Sequence, residues 1–128
     1  MKKLLSFVVL ALFSSLLLSG CTTTITNLTP STQKRNANSL YTFEVIFDST
    51  EQCIRNETIT PYLLIGSQIY PMQHTLSIRN RWETLAPVPP DREYVSYQYK
   101  FNYDYNRIPR RGRTSKLSPP YQVEILDK

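Results

Sequence analysis

Residues 93–105 read EYVSYQYKFNYDY, and the alternation within them decides the fold. Val95, Tyr97, Tyr99, Phe101, Tyr103 and Tyr105 occupy every second position, with Ser96, Gln98, Lys100, Asn102 and Asp104 between them. Successive side chains of a strand point to opposite faces, so a period of two gathers the aromatic residues on one side. The stretch is predicted to be a central strand with that side in the core. At about 3.4 Å per residue it reaches roughly 40 Å, well beyond the usual strand of about 5 or 6 residues. Tyr103 and Tyr105 are therefore expected to overhang the core, where exposed rings stack on sugars.

Similar signals lie on both sides. ITNL (25–28) precedes Pro30, and SLYTFEVIF (39–47) sets Tyr41, Phe43, Val45 and Phe47 on one face. TPYLLI (60–65) and SQIYPM (67–72) flank Gly66 and Ser67, a tight hairpin. RWETLAPV (81–88) is shorter, and YQVEIL (121–126) alternates Tyr121, Val123 and Ile125 with Gln122 and Glu124. Past residue 20 only Ala37 and Ala86 represent the best helix former, and β-branched and aromatic residues dominate the runs. Six or seven such strands in about 100 residues predict an all-β fold, an immunoglobulin-like two-sheet antiparallel β-sandwich of about seven strands. LAPVPPDREYVSYQY (85–99) resembles the turn and tyrosine-bearing strand of fibronectin type III domains. That resemblance implies a tyrosine pinning the corner, either Tyr94 or Tyr97.

The chain has 128 residues, 41% hydrophobic and 20% charged, an ordinary balance for one globular unit. Its start is different. Lys2 and Lys3 precede an almost wholly apolar run (4–18), followed by the small residues Ser19 and Gly20. This is the pattern of an export signal, and the run falls short of the roughly 20 residues that span a bilayer. Leu18, Ser19, Gly20 and Cys21 resemble the lipobox of bacterial lipoproteins. The resemblance implies a diacylglyceryl group on the Cys21 thiol, cleavage before Cys21 by signal peptidase II, and acylation of the freed amine. It divides the chain into a signal peptide (1–20), a lipidated cysteine with tether and first strand (21–38), and the remainder of the sandwich (39–128). No other cofactor is expected. The implied location is the bacterial cell envelope, and Thr22 in place of an aspartate favours the outer membrane where a cell has one. The competing arrangement is an ordinary cleaved signal with Cys21 and Cys53 joined in a disulfide. With Cys21 lipidated, Cys53 is either a shielded thiol or a site for pairing with another chain.

Tether length follows from where the first strand begins. A start at Ile25 leaves only about 10 Å between lipid and domain, whereas a loose segment to Asn38 would extend to about 60 Å.

Without Lys2 and Lys3, 13 basic residues stand against 10 acidic ones. Arg107, Arg110, Arg111, Arg113 and Lys116 lie in one acid-free segment, and outside it the balance is 8 basic to 10 acidic. The bland reading is a solvated hairpin tip turned at Gly112. The functional reading joins these residues to Tyr103 and Tyr105 as a site for envelope glycan or anionic lipid. Nucleic acid is excluded as a partner by the export signal.

Catalytic patterns are sparse. His74 is the sole histidine, so any Ser-His-Asp or Cys-His arrangement must pass through it, and nothing nearby in sequence orients it. Zinc needs three or four ligands, usually cysteine or histidine, and with Cys21 lipidated the chain offers one of each, His74 and Cys53, plus scattered carboxylates; no glycine-rich phosphate loop exists. Carboxylates distant in sequence remain the one route to hydrolysis. Asn27-Leu28-Thr29 and Asn56-Glu57-Thr58 match glycosylation acceptors and are read as turn or strand-edge residues. The pattern from ITNLTP through NRWETLAPVPP to SPPYQVEILD is similar to small envelope lipoproteins of no assigned activity. The expected role is non-catalytic, with the membrane as one partner through the anchor and another envelope protein as the second through open strand edges.

Overall fold

In the computed structural model, which describes residues 1–16, 23–49, 54–106 and 112–127, the apolar N-terminal run forms helix α1 (Lys2–Leu16). Among the described residues no helix is long and apolar enough to cross a membrane. Apart from a 3-10 turn at Asn56–Thr58, the other regular elements among the described residues are strands. They are β1 (Thr23–Asn27), β2 (Thr32–Lys34), β3 (Leu40–Ser49), β4 (Thr60–Ile65), β5 (Gln68–Pro71), β6 (Gln73–His74), β7 (Arg81–Pro87), β8 (Tyr94–Tyr105), β9 (Gly112–Leu117) and β10 (Tyr121–Leu126).

They form two sheets. One has the order β1-β3-β7-β6 and the other β2-β10-β8-β4-β5, with β9 also paired to β8. In the lettering of immunoglobulin-like sandwiches these are A-B-E-D against G-F-C, so the all-β sandwich expected from the sequence is the fold. The seven strands read from the sequence are present, and β2, β6 and β9 are additional. β2 departs from the antiparallel expectation, running parallel to β10 with Ile125 opposite Gln33.

The alternating stretch is the central strand β8. Val95, Tyr97, Tyr99 and Phe101 are 7, 2, 0 and 0% exposed, and they meet the inward face of β3 across the sandwich. Phe43 packs edge-on to Tyr97 at 4.9 Å, and Phe47 stacks on Phe101 at 4.5 Å. The β4–β5 hairpin turns at Gly66, whose φ of 58° is the left-handed conformation that two-residue hairpins favour at their first central position.

The N-terminal segment divides between the sheets, β1 lying on β3 and β2 on β10. A hydrogen-bonded chain through the core fixes the crossing. The Glu44 amide donates to Thr29 Oγ1 at 2.9 Å, Thr29 Oγ1 lies 2.7 Å from Tyr99 Oη, Tyr99 Oη donates to Asn27 Oδ1 at 2.8 Å, and Asn27 Nδ2 donates to Tyr97 Oη at 2.8 Å. Asn27 and Thr29 are thus internal ties, where the sequence suggested a strand edge. Tyr97 is committed to Asn27, and Tyr94 Oη reaches toward the Glu124 carboxylate at 3.5 Å. The expected corner-pinning role belongs to neither hydroxyl.

β9 and β10 run one after the other along the same edge of β8. Lys100 faces Leu117 and Tyr97 faces Tyr121, so Gln98 and Tyr99 oppose Ser118, Pro119 and Pro120, one residue too many. Prolines cannot donate to the ladder, and Ser118 restores it. Its amide donates to the Tyr99 carbonyl at 2.8 Å and its hydroxyl accepts from the Tyr99 amide at 2.8 Å. Residues 112–116, read from the sequence as solvated tip, are therefore strand. The long β8 supplies a paired template as far as Tyr105, and that backbone pairing outweighs the weak strand propensity of a charged segment.

Candidate functional site

Antiparallel pairing brings the starts and ends of several strands to one pole of the sandwich. β1 begins there with Thr23 opposite Ser49, the last residue of β3. β8 ends there with Tyr105 opposite Gly112, the first residue of β9. Asn56–Thr58 and the β6–β7 connection bearing Arg79 complete the pole. Lys116 on β9 joins the two sheets by donating to both the carbonyl and the hydroxyl oxygen of Thr23.

This pole holds the described members of the Tyr/Arg cluster read from the sequence. Tyr103 is half-buried with its ring 5.4 Å from that of Phe47. Tyr105, also half-buried, lays its ring over Gly112, where an added Cβ would fall 2.2 Å from the ring carbon Cζ. Both rings are engaged along β8 and its neighbours rather than standing as an open row. Arg113 presents a side chain 85% exposed, its Nε 3.2 Å from Asp104 Oδ1. Arg107, Arg110 and Arg111 lie outside the described residues, as do Cys21 and Cys53.

Between the sheets at the same pole is a cleft of about 780 Å³ lined by Phe47, Asp48, Glu57, His74, Arg79 and Trp82 among others. Its walls are largely self-satisfied. Glu57 is held below the usual carboxylate range by a hydrogen bond to its own backbone and then by Arg55, whose Nε lies 2.8 Å away. His74 Nε2 sits 2.5 Å from the Arg79 carbonyl, and its ring meets Trp82 edge-on at 5.2 Å. With Nε2 against a peptide carbonyl, the ring is held by the backbone rather than by a hydroxyl or a thiol. Trp82 is only 7% exposed and offers no platform for a sugar ring. Among the described residues no group of three His, Cys, Asp or Glu is arranged to hold a metal ion.

At the opposite pole a groove of about 750 Å³ runs between the β4–β5 turn and the proline-rich β7–β8 connection, with Ile65, Tyr70, Val88, Pro89, Pro90 and Tyr94 in its walls. Beside it the edge strand β5 exposes 64% of Ile69. Charge here is paired internally: Arg35 binds Asp127 at 2.5 Å and donates to the Pro90 and Arg92 carbonyls.

No protein-family model and no curated protein matches this sequence.

The juxtaposition of Lys116 with Thr23 joins residues 93 positions apart. No local pattern signals it, because the contact depends on which strands end at the same pole. Ser118 did leave a trace, a small hydroxyl residue ahead of two prolines that together cannot complete a ladder.

Proposed function

We propose that this chain is a bacterial lipoprotein: a β-sandwich held at the envelope by lipid on Cys21, in the outer membrane where one exists, acting as a non-catalytic module that engages another envelope protein. The motif Leu18-Ser19-Gly20-Cys21 carries the anchored reading, and the start of β1 bears on how closely such an anchor would hold the domain. β1 is already paired to β3 at Thr23, so Cys21 is two residues from a fixed sheet edge, about 7 Å of chain. Of the two tether lengths that the sequence allowed, this is the short one. Two or more acyl chains hold stably, each buried methylene contributing about 0.8 kcal/mol, and a body so closely tied stays against the bilayer.

The partner-binding surface in this reading is the pole away from the anchor. There the groove walled by Tyr70, Pro89 and Tyr94 adjoins the open edge of β5. An edge strand with unpaired backbone groups accepts an extended segment of another protein by strand addition. The test is photo-crosslinking in intact cells from probes at Ile69 and Tyr94, compared with probes at Thr42 on the outer face of β3. Discrete protein adducts from the first pair alone support the reading. Equal, diffuse labelling from this pair and from Thr42 contradicts it.

A further inference from the structure

We propose that the open edge of β5 docks an extended, uncharged segment of the partner protein through one residue, Ile69. Its amide and carbonyl pair with a single residue of that segment, and the side chains on either side of that residue enter the adjoining groove. The inference rests on the reading of the chain as a module that engages another envelope protein, and adds to it the register, the reach and the chemical class of what is bound.

Ladder geometry makes the first argument. β4 and β5 pair Ile65 with Gln68, Leu64 with Ile69, Leu63 with Tyr70 and Tyr62 with Pro71. In an antiparallel pair, directly opposed residues alternate between exchanging both hydrogen bonds and exchanging none. The Met72 amide donates to the Pro61 carbonyl at 3.1 Å, which makes Leu63 with Tyr70 and Ile65 with Gln68 the bonded pairs. Leu64 and Ile69 are therefore a non-bonded pair, and the Ile69 amide and carbonyl point away from β4. β5 ends the order of its sheet, so both groups face an open edge. Pro71 is the next residue turned the same way, and a proline has no N–H to offer. Within β5 only Ile69 can both donate and accept outward, so the edge holds one residue of a partner by two bonds and goes no further.

Side chains make the second. Gln68 and Tyr70 line the groove, while Ile69 stands on the outer face of the sheet, 64% exposed. A strand laid beside β5 alternates in the same way. The residue paired to Ile69 therefore stands beside that isoleucine, and its two neighbours point to the groove, toward Tyr70, Val88 and Pro89. Charge selects the class. Exposed edges commonly carry a guarding charge, yet from Ile59 to Ile78 the chain has no Asp, Glu, Lys or Arg. Among the described residues of the groove wall only Arg92 is charged, with Asp91 and Glu93 on either side of it in the chain. Nothing there compensates a charge brought in from outside, which favours apolar side chains on the bound segment. A second copy of this chain, pairing Ile69 with its counterpart, meets the backbone condition alone: the residues that it would turn to the groove, Gln68 and Tyr70, already line its own.

The test uses the processed chain in detergent micelles and the peptide acetyl-Ser-Val-Ile-Val-Ser-amide, with hydrogen exchange read residue by residue and peptide binding followed by saturation-transfer NMR. Without peptide the Ile69 amide should exchange about tenfold or more faster than the Tyr70 amide, which is bonded to β4. Excess peptide should slow Ile69 by about tenfold and leave β3 unchanged. A peptide N-methylated at its central isoleucine, or carrying aspartate in place of both valines, should do neither. An Ile69→Pro variant, whose ring nitrogen faces the open edge and removes no bond from the sheet, should keep Tyr70 protected and bind no peptide, whereas Ile69→Ala should still bind, more weakly. The N-methylated peptide makes the same test on the unaltered chain. A peptide that binds without slowing Ile69, or that binds Ile69→Pro as it binds wild type, overturns the proposal. So does protection of Ile69 in the chain alone that is lost on dilution, the mark of a second copy on the edge. Failure of the uncharged peptide to bind at millimolar concentration overturns it as well. Each of these results leaves the partner-binding reading standing, which falls instead if crosslinks in cells from Ile69 and Tyr94 prove diffuse.

Discussion

Replacing Tyr99 by Phe removes one oxygen from the centre of the sandwich and leaves the shape of the core unchanged. That oxygen is 2.7 Å from Thr29 Oγ1, 2.8 Å from Asn27 Oδ1 and 3.1 Å from the Glu44 carbonyl. Two of its neighbours have fallbacks, since Thr29 Oγ1 also lies 3.3 Å from the Glu44 carbonyl and Asn27 Oδ1 also accepts from the Thr29 amide at 3.1 Å. The expected loss is therefore below the cost of fully orphaning several buried groups and above that of one exposed bond, about 2 kcal/mol. For a domain of roughly 100 residues this lowers Tm by about 8 °C or more. Urea and thermal unfolding followed by circular dichroism measure it, and a cycle with Thr29→Val should give a coupling above about 0.5 kcal/mol because the two hydroxyls touch. A Tyr99→Phe variant within about 0.5 kcal/mol of wild type, or strict additivity with Thr29→Val, would refute the claim that this network holds β1 to β8.

The same hydroxyl sets an alkaline limit. Burial pushes Tyr99 well above its ordinary value of 10.0, with the Thr29 hydrogen bond opposing the shift. The folded state thus keeps a proton that the unfolded chain releases. Stability is fully present below about pH 10 and falls above it, at up to about 1.4 kcal/mol per pH unit. Tyr121, also raised by burial and then by its neighbour Tyr97, acts in the same direction. Tyr99→Phe should flatten the decline, which unfolding measured between neutral and strongly alkaline pH will show.

Other substitutions probe the remaining ties. Ser118→Ala removes the acceptor for the buried Tyr99 amide and should cost about 1–3 kcal/mol in urea unfolding. Gly112→Val should displace the Tyr105 ring and destabilise by about 1–3 kcal/mol, a loss that Tyr105→Ser in the same chain partly restores. Lys116→Met should change global stability by less than about 1 kcal/mol while speeding hydrogen exchange at the first residues of β1, since only the tie to Thr23 is lost.

The fold was legible because β3 and β8 bury one face each, and a half-buried strand writes its environment into the sequence with a period of two. Val95, Tyr97, Tyr99 and Phe101 could be assigned to the core from spacing alone. β2 and β6 were not legible, being too short to show a period, and β9 was hidden by its charge. GRTSKL (112–117) has few strand-favouring residues and becomes a strand through pairing with the far half of β8. The polar chain from Asn27 to Tyr99 was invisible for another reason: an Asn-x-Thr triplet reads alike on a surface or in a core, and only the crossing between sheets turns it inward. Of the candidate site, the basic cluster was plain in the composition of 107–116. That its described members Arg113 and Lys116 share a pole with Thr23 required knowing where β1, β8 and β9 end.

The anchor is tested most directly by intact and peptide mass spectrometry of the processed chain from its native membrane. An N-terminal peptide beginning at Cys21 and carrying diacylglyceryl and amide-linked acyl groups is the predicted result. A free thiol at Cys21, or a peptide joined to Cys53 through a disulfide, would contradict it.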